Sequence, residues 1–249
     1  MNTTRTICNA GAALLIVLGL SLSVPARSEE SPTGVATKSW QTVVQKMGGA
    51  EPDFSSIEAR GNFVMSFGDQ VTSVPQQFLY QLPDRIRSTS SIGGGELVVI
   101  VNGDSGVTRV GDRSLPMVDG AARAQIDELR RSFFSLIHNA GDPSLSIQKN
   151  ATLDGNGCSW LEVSLKPIQS SLCVSDNGTI VRQTHKGRHP IQQSPGTLAF
   201  EYGDYRDVEG RWIPHRWEVS FDGSSVGRVE LDSITFKPSF DDQTFRVAE

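Results

Sequence analysis

The sequence is short of the side chains from which most catalytic and metal centres are built. Its 249 residues hold three cysteines and four histidines. No HExxH or CxxC spacing occurs, which removes the common zinc arrangements. No P-loop or dinucleotide fingerprint occurs, so the usual phosphate cradles are excluded too. Positive charge is also scarce: 23 Lys and Arg stand against 28 Asp and Glu, a formal net charge of −5. Binding nucleic acid or an anionic membrane without specificity needs basic patches, so both classes are disfavoured. Long apolar runs are missing beyond the N-terminus, so no membrane-spanning segment is expected in the mature chain. No cofactor is expected, and neither is an enzyme.

What is present begins with an export signal. Arg5 supplies a positive start, Ala12 to Val24 a short apolar run, and Val24-Pro25-Ala26 a small-residue cleavage site. Residues 1–26 therefore read as a secretory signal peptide, 27–38 as a flexible leader and 39–249 as one domain. Cys8 precedes the apolar run, so it leaves with the signal. The expected location is a bacterial periplasm.

In that oxidising space the remaining pair, Cys158 and Cys173, invites a disulfide. Strand parity supports it, because both cysteines face away from Leu161, Val163, Leu172 and Val174. Register opposes it. If KPIQSS is the turn, Cys158 lies opposite Thr179, six residues from Cys173. Six strand residues span roughly 20 Å, against a Cα limit of about 7 Å for the bond. The two readings stay open at this point.

Most of the chain alternates. Phe63, Met65 and Phe67 share one side of a long strand, and Phe78 and Tyr80 one side of a second. Leu82-Pro83-Asp84 bends into a third strand with Ile86. After Gly93-Gly94-Gly95, Leu97 to Val101 reads as a strand buried on both faces. Four further strands are expected between Leu145 and Thr184. Near the C-terminus, Leu198, Phe200 and Tyr202 line one face, as do Trp217, Val219 and Phe221. Asp222-Gly223 signals a hairpin turn. Val229 and Leu231 give way to Ile234 and Phe236, a change of parity that predicts a bulge near Asp232.

Two segments change period. Trp40, Val43, Val44 and Met47 form an amphipathic helix ending at Gly48-Gly49. Ala122, Ile126, Leu129, Phe133 and Ile137 form one longer helix, with Asp119 as its N-cap. A sheet of roughly ten or eleven strands cannot stay flat and open, so it must curl, close or split. The expected fold class is α+β: a curved, unclosed antiparallel half-barrel with helices covering its concave face, and Ile126, Leu129, Phe133 and Phe134 as the plug.

Several near-motifs read better as structure. Gly103-Asp-Ser-Gly106 resembles the surroundings of a serine-protease nucleophile, but all four histidines follow Ser105, the wrong chain order. His185 and His189 sit in a polar loop that Gly187 and Pro190 keep from being helical. Asp204, Asp207 and Glu209 with Arg206 and Arg211 read as a salt-bridged turn, and Phe245 as a plug closing the core.

Taken together, these elements resemble the LolA-like periplasmic outer-membrane lipoprotein-sorting proteins, whose fold is shared by the receptor LolB and the regulator RseB. The resemblance rests on DYRDVEGRWIP, the hairpin around FDG, the closing Thr-Phe, LYQLPDRIR and VVIVNGDSG, in order from Ser39 to Phe245. It implies an apolar cavity sheltering acyl chains of a lipid or lipoprotein. That lining would include Phe63, Met65, Phe67, Phe78, Tyr80, Ile86, Val99, Phe133, Phe134, Trp217, Val219 and Phe221. In the family's carriers an Arg tied to lid control precedes the proline of the second bend. Here Leu82 precedes Pro83, and Arg85 and Arg87 follow. That departure favours a related but distinct lipid or lipopeptide binder. A monomer is expected. The alternative is a non-enzymatic module on the same fold that contacts envelope proteins, its hollow filled by side chains.

Overall fold

Alternation decides the strands, and the number of strands decides the shape. The computed structural model describes residues 32–48, 54–67, 70–149, 157–189 and 194–247, except the side chains of 32–35, 66 and 67. The expected signal peptide, Gly49 and residues 190–193 of the polar loop lie outside the described residues.

Helix α1 (Pro32–Val43) runs on as a π-helical turn, Val44–Gly48. It starts earlier than expected, so 32–38, read as leader, is helical. Ala36, Trp40, Val43 and Met47 are buried, which ties that first stretch to the core. Six strands follow: β1 (Ser56–Phe67), β2 (Gln70–Gln81), β3 (Arg85–Ile92), β4 (Gly95–Asn102), β5 (Ser105–Val110) and β6 (Arg113–Pro116). Helices α2 (Ala121–Arg131) and α3 (Phe133–His138) come next. The second set of strands is β7 (Ser146–Lys149), β8 (Ser159–Leu165), β9 (Ile168–Val174), β10 (Ile180–Arg188), β11 (Pro195–Val208), β12 (Arg211–Phe221) and β13 (Ser224–Lys237).

The thirteen strands among the described residues belong to one antiparallel sheet, in the order β6-β5-β4-β3-β2-β1-β13-β12-β11-β10-β9-β8-β7. The first and last strands of the chain meet at its centre. The edges, β6 and β7, do not pair, so the curve is a half-barrel that stays unclosed. Helices α2 and α3 join one edge to the other. Helix α2 touches β3, β4 and β5 on one side and β9 on the other, so it crosses the hollow.

The expected count of ten or eleven strands falls short. The four residues of β6 are all exposed and carry no apolar alternation to betray them. The expected bulge is present. Arg60 pairs with Ser233 and Gly61 with Leu231, which leaves Asp232 as the extra residue. Only glycine fits opposite it, since a Cβ on Gly61 would lie 2.0 Å from the Glu230 carbonyl oxygen. Asp222 (φ 46°) and Gly223 (φ 82°) form the β12–β13 turn as read.

Leu97–Val101 is covered on both faces, by different partners. Val101 and Val99 join the main core, whereas Val98 and Ile100 pack with Val107 and Phe245 on the other face of the sheet. Phe245 is therefore no plug of the main core. It is fully buried in a 3-10 turn (Asp242–Phe245) that straps the outer face.

The disulfide is settled by the turn. Lys166-Pro167, not KPIQSS, connects β8 and β9, so Leu165 pairs with Ile168 and Trp160 with Cys173. That register brings Cys158 beside Cys173, bonded at a Cα separation of 5.5 Å.

Candidate functional site

The helix expected over 119–138 is broken, and the break shapes the site. Ser132 has extended backbone (φ −59°, ψ 149°), and its Oγ accepts from the Ser135 N–H at 3.3 Å, capping α3. Asp119 does not cap α2. Gly120 holds that position at φ 79°, with no side-chain bond. The turn at Ser132 puts Phe133 and Phe134 side by side, ring centroids 4.1 Å apart, facing the sheet. Phe133 meets Tyr202 edge-on at 5.5 Å, and Phe134 meets Phe236 at 6.1 Å.

Between these helices and the concave face lies a cavity of about 840 Å³. Of the residues expected to line it, Phe63, Phe78, Tyr80, Ile86, Phe133, Phe134, Trp217 and Val219 do so. Met65 and Val99 are half-buried and do not line it. The side chain of Phe67 is outside the described residues. Phe221 lies beyond the rim, its ring over Gly196 and 4.9 Å from that of His189.

Sequence reasoning missed the polar wall. His185 is not in a loop but in β10, nearly fully buried, with its ring stacked 5.6 Å from Phe200. Its Nε2 lies 2.7 Å from Glu128 Oε2 on α2. A carboxylate only accepts, so that nitrogen carries the hydrogen. Glu128 Oε1 also accepts from Arg131 Nη1 at 3.1 Å. Two positions away, Gln183 donates to the Arg131 carbonyl at 2.6 Å and to Ser170 Oγ at 3.2 Å. It accepts from the Tyr202 hydroxyl at 2.8 Å. Helix α2 is thus bonded to the sheet through the polar side of an otherwise greasy hollow. The only available signal was parity: Gln183 and His185 share a face of β10.

A Glu–His pair invites a triad reading. The other ring nitrogen of His185, Nδ1, is buried with no partner among the described residues, and no nucleophile among them sits on it. Gly223-Ser-Ser-Val-Gly227 has the spacing of a hydrolase elbow but forms a hairpin turn and the start of β13. Gly103-Asp104 turns β4 into β5, and Asp104 pairs with Arg123 at 3.2 Å. The acidic turn is salt-bridged as read, Arg206 with Asp204 at 2.5 Å and Arg211 with Glu209 at 3.8 Å. Arg85 and Arg87 face the outer strap: Arg85 pairs with Asp242 at 2.6 Å, and Arg87 donates to the Thr244 carbonyl at 3.3 Å.

Burial pushes the phenol pKa values of Tyr80 and Tyr202 well up, the latter further through Tyr205 and Glu128. Both stay neutral hydroxyls at any physiological pH. Among the described residues, no helix is long and apolar enough to cross a membrane.

No family model matches the sequence, and no curated protein does. Solved structures do resemble it. A LolA-superfamily protein from Nitrosomonas europaea aligns over 85% of this chain and 97% of its own, with TM-score 0.53 and 10% identity. A DUF1329-family protein from Desulfovibrio piger aligns over 88% and 98%, with TM-score 0.55 and 10% identity. At such identity the likeness is one of architecture. An unclosed antiparallel half-barrel, its ends joined at the centre and its helices laid in the hollow, is a LolA-like fold.

Proposed function

We propose that this protein binds acyl chains of a lipid or lipoprotein between its sheet and α2–α3, and carries them through the periplasm. The observation that carries this reading is the cavity: about 840 Å³, walled mainly by Phe, Tyr, Trp, Val, Leu and Ile side chains. Burial of each methylene is worth about 0.8 kcal/mol, so ten of them favour binding by about 8 kcal/mol before the cost of ordering. No catalytic group is required. The Cys158–Cys173 bond and the signal-like residues 1–26 support a place outside the cytoplasm. An envelope-protein module with a filled hollow is the weaker reading, because this hollow is open.

Trp217 gives the test. It lines the cavity, whereas Trp40, Trp160 and Trp212 do not. A brominated stearic acid should quench its fluorescence, and Trp217→Phe should remove most of that quenching. Val219→Glu should weaken binding. A protein that shows no quenching and carries no lipid through gentle purification would overturn the reading.

A further inference from the structure

The polar atoms around the cavity fall into two sets. On the β10–β11 side most are already engaged, Gln183 with Tyr202 and Arg131 and His185 through Nε2 with Glu128, while His185 Nδ1 is sealed away from the hollow. On the β2–β3 side they are not. Tyr80 and Ser88 both line the cavity, and neither hydroxyl bonds to any described residue. Neither is among the polar atoms sealed without a partner, so both are reached from the hollow.

Their placement follows from register. Tyr80 pairs with Ile86, and Phe78 with Ser88. Tyr80 and Ser88 are therefore diagonal neighbours on one face, with Cα atoms roughly 7–8 Å apart. The Phe78 ring stacks 5.8 Å from that of Tyr80 and fixes its position. Burial keeps the Tyr80 phenol protonated, a permanent neutral donor. By register the neighbours of the pair on this wall are Ala59, Phe78 and Ile86, and the cations that reach the cavity, Arg131, Lys186 and Arg188, stand on α2 and β10. A hydroxyl that opens into an apolar hollow with no protein partner is free to bond a ligand there. Two neutral donors with no cation beside them suit a neutral acceptor oxygen better than a carboxylate or phosphate.

We infer that Tyr80 and Ser88 form a hydrogen-bonding subsite for the carbonyl that links an acyl chain to its head, as an ester or an amide. The inference rests on the acyl-chain reading above and deepens it. The ligand is held at its linkage as well as along its chain, so plain hydrocarbon is a poor substitute.

Three probes of matched chain length test it: monopalmitoyl glycerol (ester), palmitoyl ethanolamide (amide) and hexadecyl glycerol (ether, no carbonyl). Each would displace a fluorescent fatty-acid reporter from the wild-type protein, Tyr80→Phe and Ser88→Ala. The ester or the amide should bind about five- to tenfold tighter than the ether, the value of one or two buried hydrogen bonds. The tighter of the two names the linkage. Tyr80→Phe keeps the ring and its packing, and should erase that preference while leaving ether binding unchanged. Equal binding of all three probes to the wild-type protein would overturn the subsite alone, as would a variant that weakens all three alike. Failure of all three to bind would overturn the acyl-chain reading, and the subsite with it.

Discussion

Replacing Gln183 by leucine removes three hydrogen bonds at nearly constant volume. Gln183 is 1% exposed, and its amide serves the Arg131 carbonyl, Ser170 Oγ and the Tyr202 hydroxyl. The Arg131 carbonyl ends α2, where no intrahelical donor can reach it. Each buried polar group left without a partner costs about 1–3 kcal/mol. Tyr202 lines the cavity and can turn to water there, so two groups bear most of the loss. The expected destabilisation is therefore about 2–6 kcal/mol. Urea unfolding should report it as a lower midpoint at an unchanged slope, because the folded state keeps its buried area. The mechanism, not only the size, is open to test. Tyr202→Phe should cost less in the leucine background than in the wild type, because its hydroxyl has already lost its partner. A coupling near 1 kcal/mol is expected from the double-mutant cycle. Strictly additive losses, or a leucine variant as stable as the wild type, would refute the idea that this network docks α2 onto the sheet.

Two further outcomes follow from other parts of the molecule. Cys158 and Cys173 close a loop with a sequence separation of 15, so replacing both with serine should cost about 3 kcal/mol. Reduced wild-type protein should unfold with the double variant, and a midpoint insensitive to reductant would contradict the bond. His215 is buried with its Nδ1 3.0 Å from the Ile213 carbonyl. Burial first, then Arg206, holds its pKa below the ordinary 6.5, against the opposite pull of the Ile213 bond and Asp204. The unfolded chain therefore takes up this proton first, and stability falls as pH drops below 6.5. His215→Gln should flatten that part of the profile in a series of thermal melts, and parallel wild-type and variant curves would count against burial as the cause.

Much of this fold can be read locally, because local rules set it. Asp222-Gly223 supplies the positive φ angles a tight hairpin needs, and the parity change from Leu231 to Ile234 needs an extra residue between them. The greasy face of the site was legible for the same reason: Phe63, Phe78, Tyr80, Trp217 and Val219 sit at alternate positions of their strands. Phe221 follows the same parity yet lies beyond the rim, because parity names a face and not a place along it. The polar wall was not legible. Gln183 is polar, and only its distant partner Arg131, 52 residues away, gives it a reason to be inside. The helix break at Ser132 was hidden too, since the apolar period runs through it.

By itself the sequence determined that the chain is antiparallel, one-sided and too many-stranded to stay flat. Period two, turn residues and strand count are properties of neighbouring residues, and need no partner to act. Tertiary structure alone decided the rest: which apolar side chains face a hollow and which face packing, that His185 meets Glu128, and that Phe245 seals the outer face. It also decided that Cys158 meets Cys173, through a two-residue turn that sets the register. Those outcomes depend on how a curved sheet brings distant segments together. The cavity is therefore a property of curvature, and its free hydroxyls, Tyr80 and Ser88, emerge only once the strands are folded around it.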